Sequence, residues 1–426
     1  MKGLIFERSV PRFLAARVVA NLAGSGRGAA VGPLRLTDLS EPDPPGPEWQ
    51  HVQPLMSGIC GSDLATIDGA SSRYFEGLVS MPFVPGHEVV GVLSGQVTTA
   101  GRSGLSGAPT GSGPAKRVVV EPVLACAARG LDPPCAACRA GRTGRCERVA
   151  VGHLAPGLQI GYCSDTGGGW SAAGLVAHSS QIHAVPDELS DEDAVMVEPA
   201  ACAIHAVLSS TARAGADILV VGAGTIGLLV VAALRHLVDP RSVTVGARYE
   251  HQRALALDLG ADTAVPGEEL GRAARRRSAS FVTSRHLSSG ADVVFDCVGS
   301  AASITQSISL VRPGGDVVLL GMPSSVRLDL APLWHREVRM AGAYAYGTEE
   351  TPDGPRRTFD IALELAGSLG LGRLVSARYP IERFEDALAH AGDAGRRGAV
   401  KIVFDLARGG RPEPVRAATD LKGPAT

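Results

Sequence analysis

Residues Ile218-Leu219-Val220-Val221-Gly222-Ala223-Gly224-Thr225-Ile226-Gly227 read as a brief apolar strand, a glycine turn and the opening of a helix. The glycines spell G-x-G-x-x-G. In that strand-to-helix setting the first glycine permits a tight turn, the second lets the backbone approach a pyrophosphate, and the third allows close helix packing. The helix N-terminus, with Thr225 and Ile226 in its first turn, then faces the anion. The uncharged run 218–234 comes close to the lower length limit for a membrane span, but its regularly placed glycines weaken that reading.

Working outward, 242–245 reads as a strand, 252–259 as a helix, and 292–296, 304–311 and 316–320 as short buried strands. This is βαβ alternation around a parallel sheet. Residues 272–277 interrupt it as a solvated helix end. Upstream of about Pro199, valine-rich segments such as 83–93 and 117–123, broken by Gly, Pro and Asp, indicate an irregular β domain with few helices. The stretch 101–113 reads as a surface loop. Residues 357–366 read as a helix and 400–404 as a closing strand that returns to the first domain. The expected fold class is therefore α/β: a β-rich domain over 1–199, a doubly wound parallel-sheet domain over 200–343, a return segment over 344–406, and a polar, disordered tail over 407–426.

The composition sets limits on partners. The chain has 426 residues, and its 41 basic and 43 acidic side chains leave a net charge of -2, so no global field attracts nucleic acid or an anionic membrane. Neither is expected as a partner. Only four cations are Lys, so a single Arg carries little information. Eight Cys are too few for a disulfide scaffold at this length, and several cluster at metal-like spacing, which favours a reducing compartment such as the cytoplasm. The apolar stretch 13–22 follows Arg8 and Arg12 but is interrupted by Arg17, and is not read as a signal peptide.

The cofactor can be read further from the end of the second strand of the parallel sheet, where an acid would accept bonds from the ribose 2′-hydroxyl of NAD. Segment 243–249 holds no acid there. Ala247 removes a charge that would repel a 2′-phosphate, and Arg248 can pair with one, so NADP(H) is favoured over NAD(H).

Two groups of side chains suggest zinc. Cys60 and the Gly86-His87-Glu88 segment bring a thiolate, an imidazole and a carboxylate into glycine-flanked loops, and Glu198-Pro199 adds an acid before the domain boundary. Such a mixed donor set suits a catalytic zinc, which keeps one position open. The second group is Cys135-x2-Cys138-x7-Cys146 with Cys126 nine residues upstream of Cys135. Four thiolates would close a tetrahedral, structural site.

These motifs, with 58–63, 167–171 and 312–315, resemble the zinc-dependent medium-chain dehydrogenases, in particular the sorbitol and threonine dehydrogenase branch with its Glu-Pro pair. The resemblance implies a GroES-like catalytic domain beside a Rossmann domain, with the active site in the cleft between them. It implies that Cys60 and His87 are zinc ligands, that Glu88 and Glu198 bind the metal or stand next to it, that Ser62 relays the substrate proton, and that Asp63 orients the ligands. Dimers or tetramers are usual in that family, and the Ala247-Arg248 pair is similar to that of its NADP-preferring polyol dehydrogenases. Two departures stand out: eight residues separate Cys126 from Cys135 where the family has two, and residues 12–32 have no plain counterpart.

The expected activity is hydride transfer between an alcohol, or its carbonyl partner, and NADP(H). The alternatives are a zinc-independent alkene or quinone reductase and a non-catalytic nucleotide-binding protein. Tyr74, Phe75, Tyr162, Trp170 and Trp334 are candidate pocket aromatics, each equally readable as core or surface.

Overall fold

A computed structural model describes residues 1–93, 116–283 and 286–407. The expected loop at 101–113 and nearly all of the expected tail lie outside these residues.

Six strands form one parallel sheet in the spatial order Thr263–Val265, Ser242–Gly246, Asp217–Val221, Ala291–Asp296, Val311–Leu319, Arg339–Gly342. In chain order that is 3-2-1-4-5-6, the doubly wound arrangement, in which ligands bind beyond the carboxyl ends of the strands where the order reverses. Asp217–Val221 is the strand that enters the glycine turn, so the fingerprint lies at that reversal. The helix Thr225–Leu237 follows directly and is buried from Gly227 to Leu234.

One expected strand is a helix. Residues Ala301–Leu310 are α-helical, capped by Ser300, whose side chain accepts from the Ser303 backbone N–H. Ile304 and Ile308 recur at helical spacing and face the core, while Thr305, Gln306 and Ser309 occupy the other positions. The Ser-rich capping box fixes the start of this helix, and a reading based on apolar content alone passes over it.

The other half is built on a sheet ordered Val375–Tyr379, Lys401–Asp405, Trp49–Gly58, Val89–Leu93, Arg117–Val120, Ile182–Ala184, with Leu175–His178 also paired to Trp49–Gly58. The C-terminal strand Lys401–Asp405 therefore lies next to the strand that leads into Cys60. Its register pairs Val403 with Gly58.

The helix Val197–Leu208 joins the halves. It is buried on nearly every side, and the largest hydrophobic core runs through it from Met56, Val90 and Val119 of the first sheet to Ile218, Val220 and Val293 of the second. Glu198 sits in its first turn. Residues 12–32, expected to lack a counterpart in the resembling family, fall in the helix Val10–Ala23 and a short turn at Arg27–Ala30. Among the described residues no helix is long and apolar enough to cross a membrane.

Candidate active site and metal centres

Strand Trp49–Gly58 ends at the first donor. Cys60 caps the helix Gly61–Ile67, and the Asp63 carboxylate turns back to accept the Cys60 backbone N–H at 2.9 Å. Asp63, Asp68 and Ile67 are buried, so the short helix is held along its inner face. Gly86 adopts φ +98, and a Cβ there would lie 2.4 Å from the Trp170 ring. That close approach places His87 and Glu88 beside Cys60. Donor atoms of Cys60, His87 and Glu88 lie within 4.8 Å of one another.

A thiolate, an imidazole and a carboxylate at this separation in a buried site form a donor set that suits zinc. His87 Nδ1 is buried without a hydrogen bond, with Asp63 Oδ1 at 3.5 Å. Burial works to lower the His87 pKa, but Asp63 and the Cys60 sulfur outweigh it and hold the ring well above its usual range.

Glu198 stands outside the close triplet but in the same field. Its Oε1 accepts the Tyr346 hydroxyl at 3.0 Å, and the Cys202 thiol points at the same oxygen from 3.7 Å. Burial, and then Glu88, push its pKa up to about 7, against the opposing pull of His87 and Lys401.

Lys401 is a member of this site that the sequence reading missed. Its ammonium pairs with Glu88 and donates to the Ile59 carbonyl at 3.1 Å. A signal was available: a chain with only four lysines spends one in the apolar strand Val400-Lys401-Ile402-Val403. A buried ammonium requires a carboxylate nearby.

Of the candidate aromatics, Tyr162 reaches the site. Its hydroxyl lies 3.3 Å from Asp63 Oδ1 and 3.5 Å from Thr66 Oγ1, and its ring centre is 5.9 Å from that of His87. Trp170 is fully buried and donates to the Gly58 carbonyl, which makes it a core residue behind the metal loops. Tyr74 and Trp334 are largely exposed, and Phe75 packs edge-on against Tyr74. Ser62 is half-buried on the first turn after Cys60.

In the parallel-sheet half, Gly222 adopts φ +91, and a Cβ on Gly227 would lie 1.9 Å from the Gly222 carbonyl oxygen. A Cβ on Gly224, by contrast, would meet nothing within 4 Å, leaving its backbone open to a ligand. Gly222 donates to the Gly246 carbonyl, so the end of the second strand lies beside the glycine turn. There Ala247 is buried and Arg248 exposed, with its guanidinium 5.8 Å from the Tyr249 ring centre. Thr225 and Ile226 open the helix, half-buried, and Thr225 Oγ1 donates to the Val400 carbonyl beside Lys401.

The four cysteines of the second group come together despite the long spacer. Sulfurs of Cys126, Cys135, Cys138 and Cys146 lie within 4.8 Å of one another. The Cys135 and Arg148 backbone N–H groups donate to the Cys126 and Cys146 sulfurs. Burial opposes ionisation of Cys135, but the backbone N–H groups of Glu147 and Cys138 bring its thiol down to about 6. The eight-residue spacer is organised by Arg129, which is fully buried. Its guanidinium donates to the carbonyls of Leu124, Val151, Leu154, Ala155 and Gly157. No signal in the sequence marked it among so many arginines.

Comparison with known proteins agrees with this architecture. The family described as "Alcohol dehydrogenase GroES-like domain" matches residues 46–187, and that described as "Zinc-binding dehydrogenase" matches 225–360. The L-idonate 5-dehydrogenase of Vitis vinifera is 28% identical over 369 residues, covering 85% of this chain and 89% of its own. The sorbitol dehydrogenase of Arabidopsis thaliana matches with the same identity and coverage. Among solved structures, a zinc-binding dehydrogenase of Sinorhizobium meliloti 1021 bound to NADP is 25% identical, with a TM-score of 0.65 over 87% of this chain and 95% of its own. With both family matches in their proper halves and two metal-type donor groups in place, the chain belongs to the zinc-type medium-chain dehydrogenases of the sorbitol/threonine-like branch and is an alcohol-dehydrogenase-like oxidoreductase.

Proposed function

We propose that the protein transfers a hydride between an alcohol, or its carbonyl partner, and NADP(H), with zinc held by Cys60, His87 and Glu88 and a structural zinc held by Cys126, Cys135, Cys138 and Cys146. The observation that carries this reading is the triplet of half-buried Cys60 and buried His87 and Glu88, with donors within 4.8 Å of one another, in a chain whose glycine turn leaves the Gly224 backbone open. When bound, zinc supplies a Lewis acid that favours the alkoxide and the nicotinamide cofactor supplies the hydride acceptor.

The residues of the chain do the rest. Asp63 holds the Cys60 backbone and stands 3.5 Å from His87 Nδ1, orienting two donors at once. Lys401 pairs with Glu88 and is itself held by the Ile59 carbonyl. Ser62 Oγ, half-buried beside Cys60, receives the substrate proton and passes it outward, with the Tyr162 hydroxyl adjoining it. Glu198, held by Tyr346, sets the charge at the edge of the site. Gly222, Gly224, Thr225, Ile226 and Gly227 seat the pyrophosphate, and Arg248 pairs with a 2′-phosphate that buried Ala247 does not repel.

The related polyol and sugar-acid dehydrogenases favour a small polyhydroxylated or amino alcohol as substrate. The edge strand Arg339–Gly342 is exposed throughout, with exposed Trp334 and Tyr344 flanking it in sequence, which supports a homodimer through that edge. Nicotinamide reduction assayed over polyols, sugar acids and amino alcohols, with NADP and NAD side by side, tests the reading. Turnover with NADP is expected. Binding of NADPH with no turnover on any alcohol or carbonyl would instead favour a non-catalytic nucleotide-binding role.

A further inference from the structure

The net charge of -2 conceals a local asymmetry. Between Arg8 and Arg27 the chain carries four arginines and no acid. Most of that stretch is the helix Val10–Ala23, whose inner face is anchored: Ala16 is fully buried, Phe13 packs on the core formed by Leu4, Phe6 and Ile67, and Gly28 lies close under Ala16. Asp68, at the end of the Cys60-capped helix, accepts from Ser25 Oγ at 2.8 Å, Gly26 N at 2.8 Å and Gly28 N at 3.3 Å. The inserted segment is thereby fixed to the catalytic domain.

Its outer face is apolar where a surface helix is normally polar. Val10, Leu14, Val18 and Leu22 recur every fourth residue and are 67%, 55%, 57% and 84% exposed. At about 100° per residue, Pro11, Leu14, Val18 and Leu22 centre on the side opposite Phe13, Ala16 and Ala20. Arg17 lies at one edge of this stripe and Arg8 precedes it, while Arg12 lies beyond the other edge, lining a concavity with Arg35 and Glu385. None of the three forms an ion pair among the described residues, whereas Arg27 pairs with Asp393 and the neighbouring Glu7 is taken by Arg35.

A second copy of the chain is a poor occupant. One face of a helix roughly 20 Å long offers on the order of 200 Å² per partner, against about 800 Å² in a standard interface. A two-fold contact would also bring arginines together with no acid on the stripe to neutralise them. A surface that is apolar within and anionic at its rim matches both features.

We propose that the outer face of the helix Val10–Ala23 docks on an anionic phospholipid bilayer. Leu14, Val18 and Leu22 enter the boundary between headgroups and acyl chains, and Arg8, Arg12 and Arg17 meet the phosphates. Docking is peripheral and reversible, and leaves the dehydrogenase site facing water.

The test is co-sedimentation of the full-length, zinc-loaded enzyme with vesicles of phosphatidylcholine alone or mixed with phosphatidylglycerol, combined with light scattering. Three unpaired arginines predict a preference on the order of 100-fold for the anionic vesicles, lost in high salt. Leu14→Gln with Leu22→Gln should abolish binding, and Arg12→Gln with Arg17→Gln should cut the anionic preference to about fivefold, the share of Arg8. Dehydrogenase turnover should be unchanged in both, which also shows that the variants are folded. Absence of vesicle binding by the parent enzyme, or equal binding by the leucine variants, overturns the proposal. So does a parent oligomer that the leucine variants dissociate without any vesicle binding, which would make the face a contact between copies.

Discussion

Lys401 and Glu88 form an ion pair in which both side chains are only 2% exposed, and Glu88 is also one of the three candidate metal donors. Removing one partner of a buried pair costs about 3–5 kcal/mol, because the remaining charge has no solvent. Lys401→Met should therefore strongly destabilise the metal-free protein. A cation bound by Glu88 would restore the compensation, so the loss should be smaller in zinc. Thermal unfolding with chelator and with zinc checks this. Equal losses in the two conditions would show that Glu88 does not face the metal.

Arg248 follows buried Ala247 at the end of the second strand of the parallel sheet. Loss of a charge-assisted bond to a 2′-phosphate amounts to about 1.5–3 kcal/mol, or roughly tenfold or more in affinity. Arg248→Ala should weaken NADPH binding by that factor and leave NADH within about twofold. Fluorescence titration of both nucleotides measures it. Parallel losses for both would mean that Arg248 acts on something other than the extra phosphate.

Cys126 reaches the sulfur cluster although eight residues separate it from Cys135. Cys126→Ser should lower the zinc content by one equivalent and make the lobe around Arg129 sensitive to protease, since a closed thiolate site contributes directly to folding. Unchanged zinc content and protease resistance would make Cys126 a packing residue.

His390 is fully buried, and its Nδ1 lies 2.9 Å from the Tyr379 hydroxyl. Burial, reinforced by Arg397, lowers its pKa from 6.5 to about 4. The unfolded chain thus binds this proton more readily than the native one, so the contribution to stability is complete above about pH 6.5 and is lost as pH falls toward 4. Its size is of the order of 3 kcal/mol. His390→Gln should be less stable than the parent at pH 7 but show a shallower fall between pH 6.5 and 4 in denaturant titrations. An unchanged slope would place the acid sensitivity elsewhere.

What could be read from the sequence was local. Gly222, Gly224 and Gly227 identify their turn because each glycine answers a backbone requirement visible within ten residues. The Cys135-Cys138 spacing and the His87-Glu88 pair are similarly self-contained. The partners that complete the sites were harder to see, because tertiary structure supplies them. Lys401 reaches Glu88 only when the last strand pairs with Trp49–Gly58, and Tyr346 reaches Glu198 from 148 residues along the chain. Arg129 could not be told from other arginines until its five carbonyls converged. The segment 304–311 was read as a strand from apolar content, while its helical spacing and Ser300–Ser303 cap pointed the other way.

The most direct test of a two-zinc dehydrogenase is elemental analysis of zinc per chain on the parent and on Cys60→Ser, each assayed for turnover and NADPH binding. The parent should hold two zincs and the variant one, with turnover lost and NADPH binding retained. Equal zinc content together with undiminished turnover in Cys60→Ser would contradict the assignment of the catalytic metal.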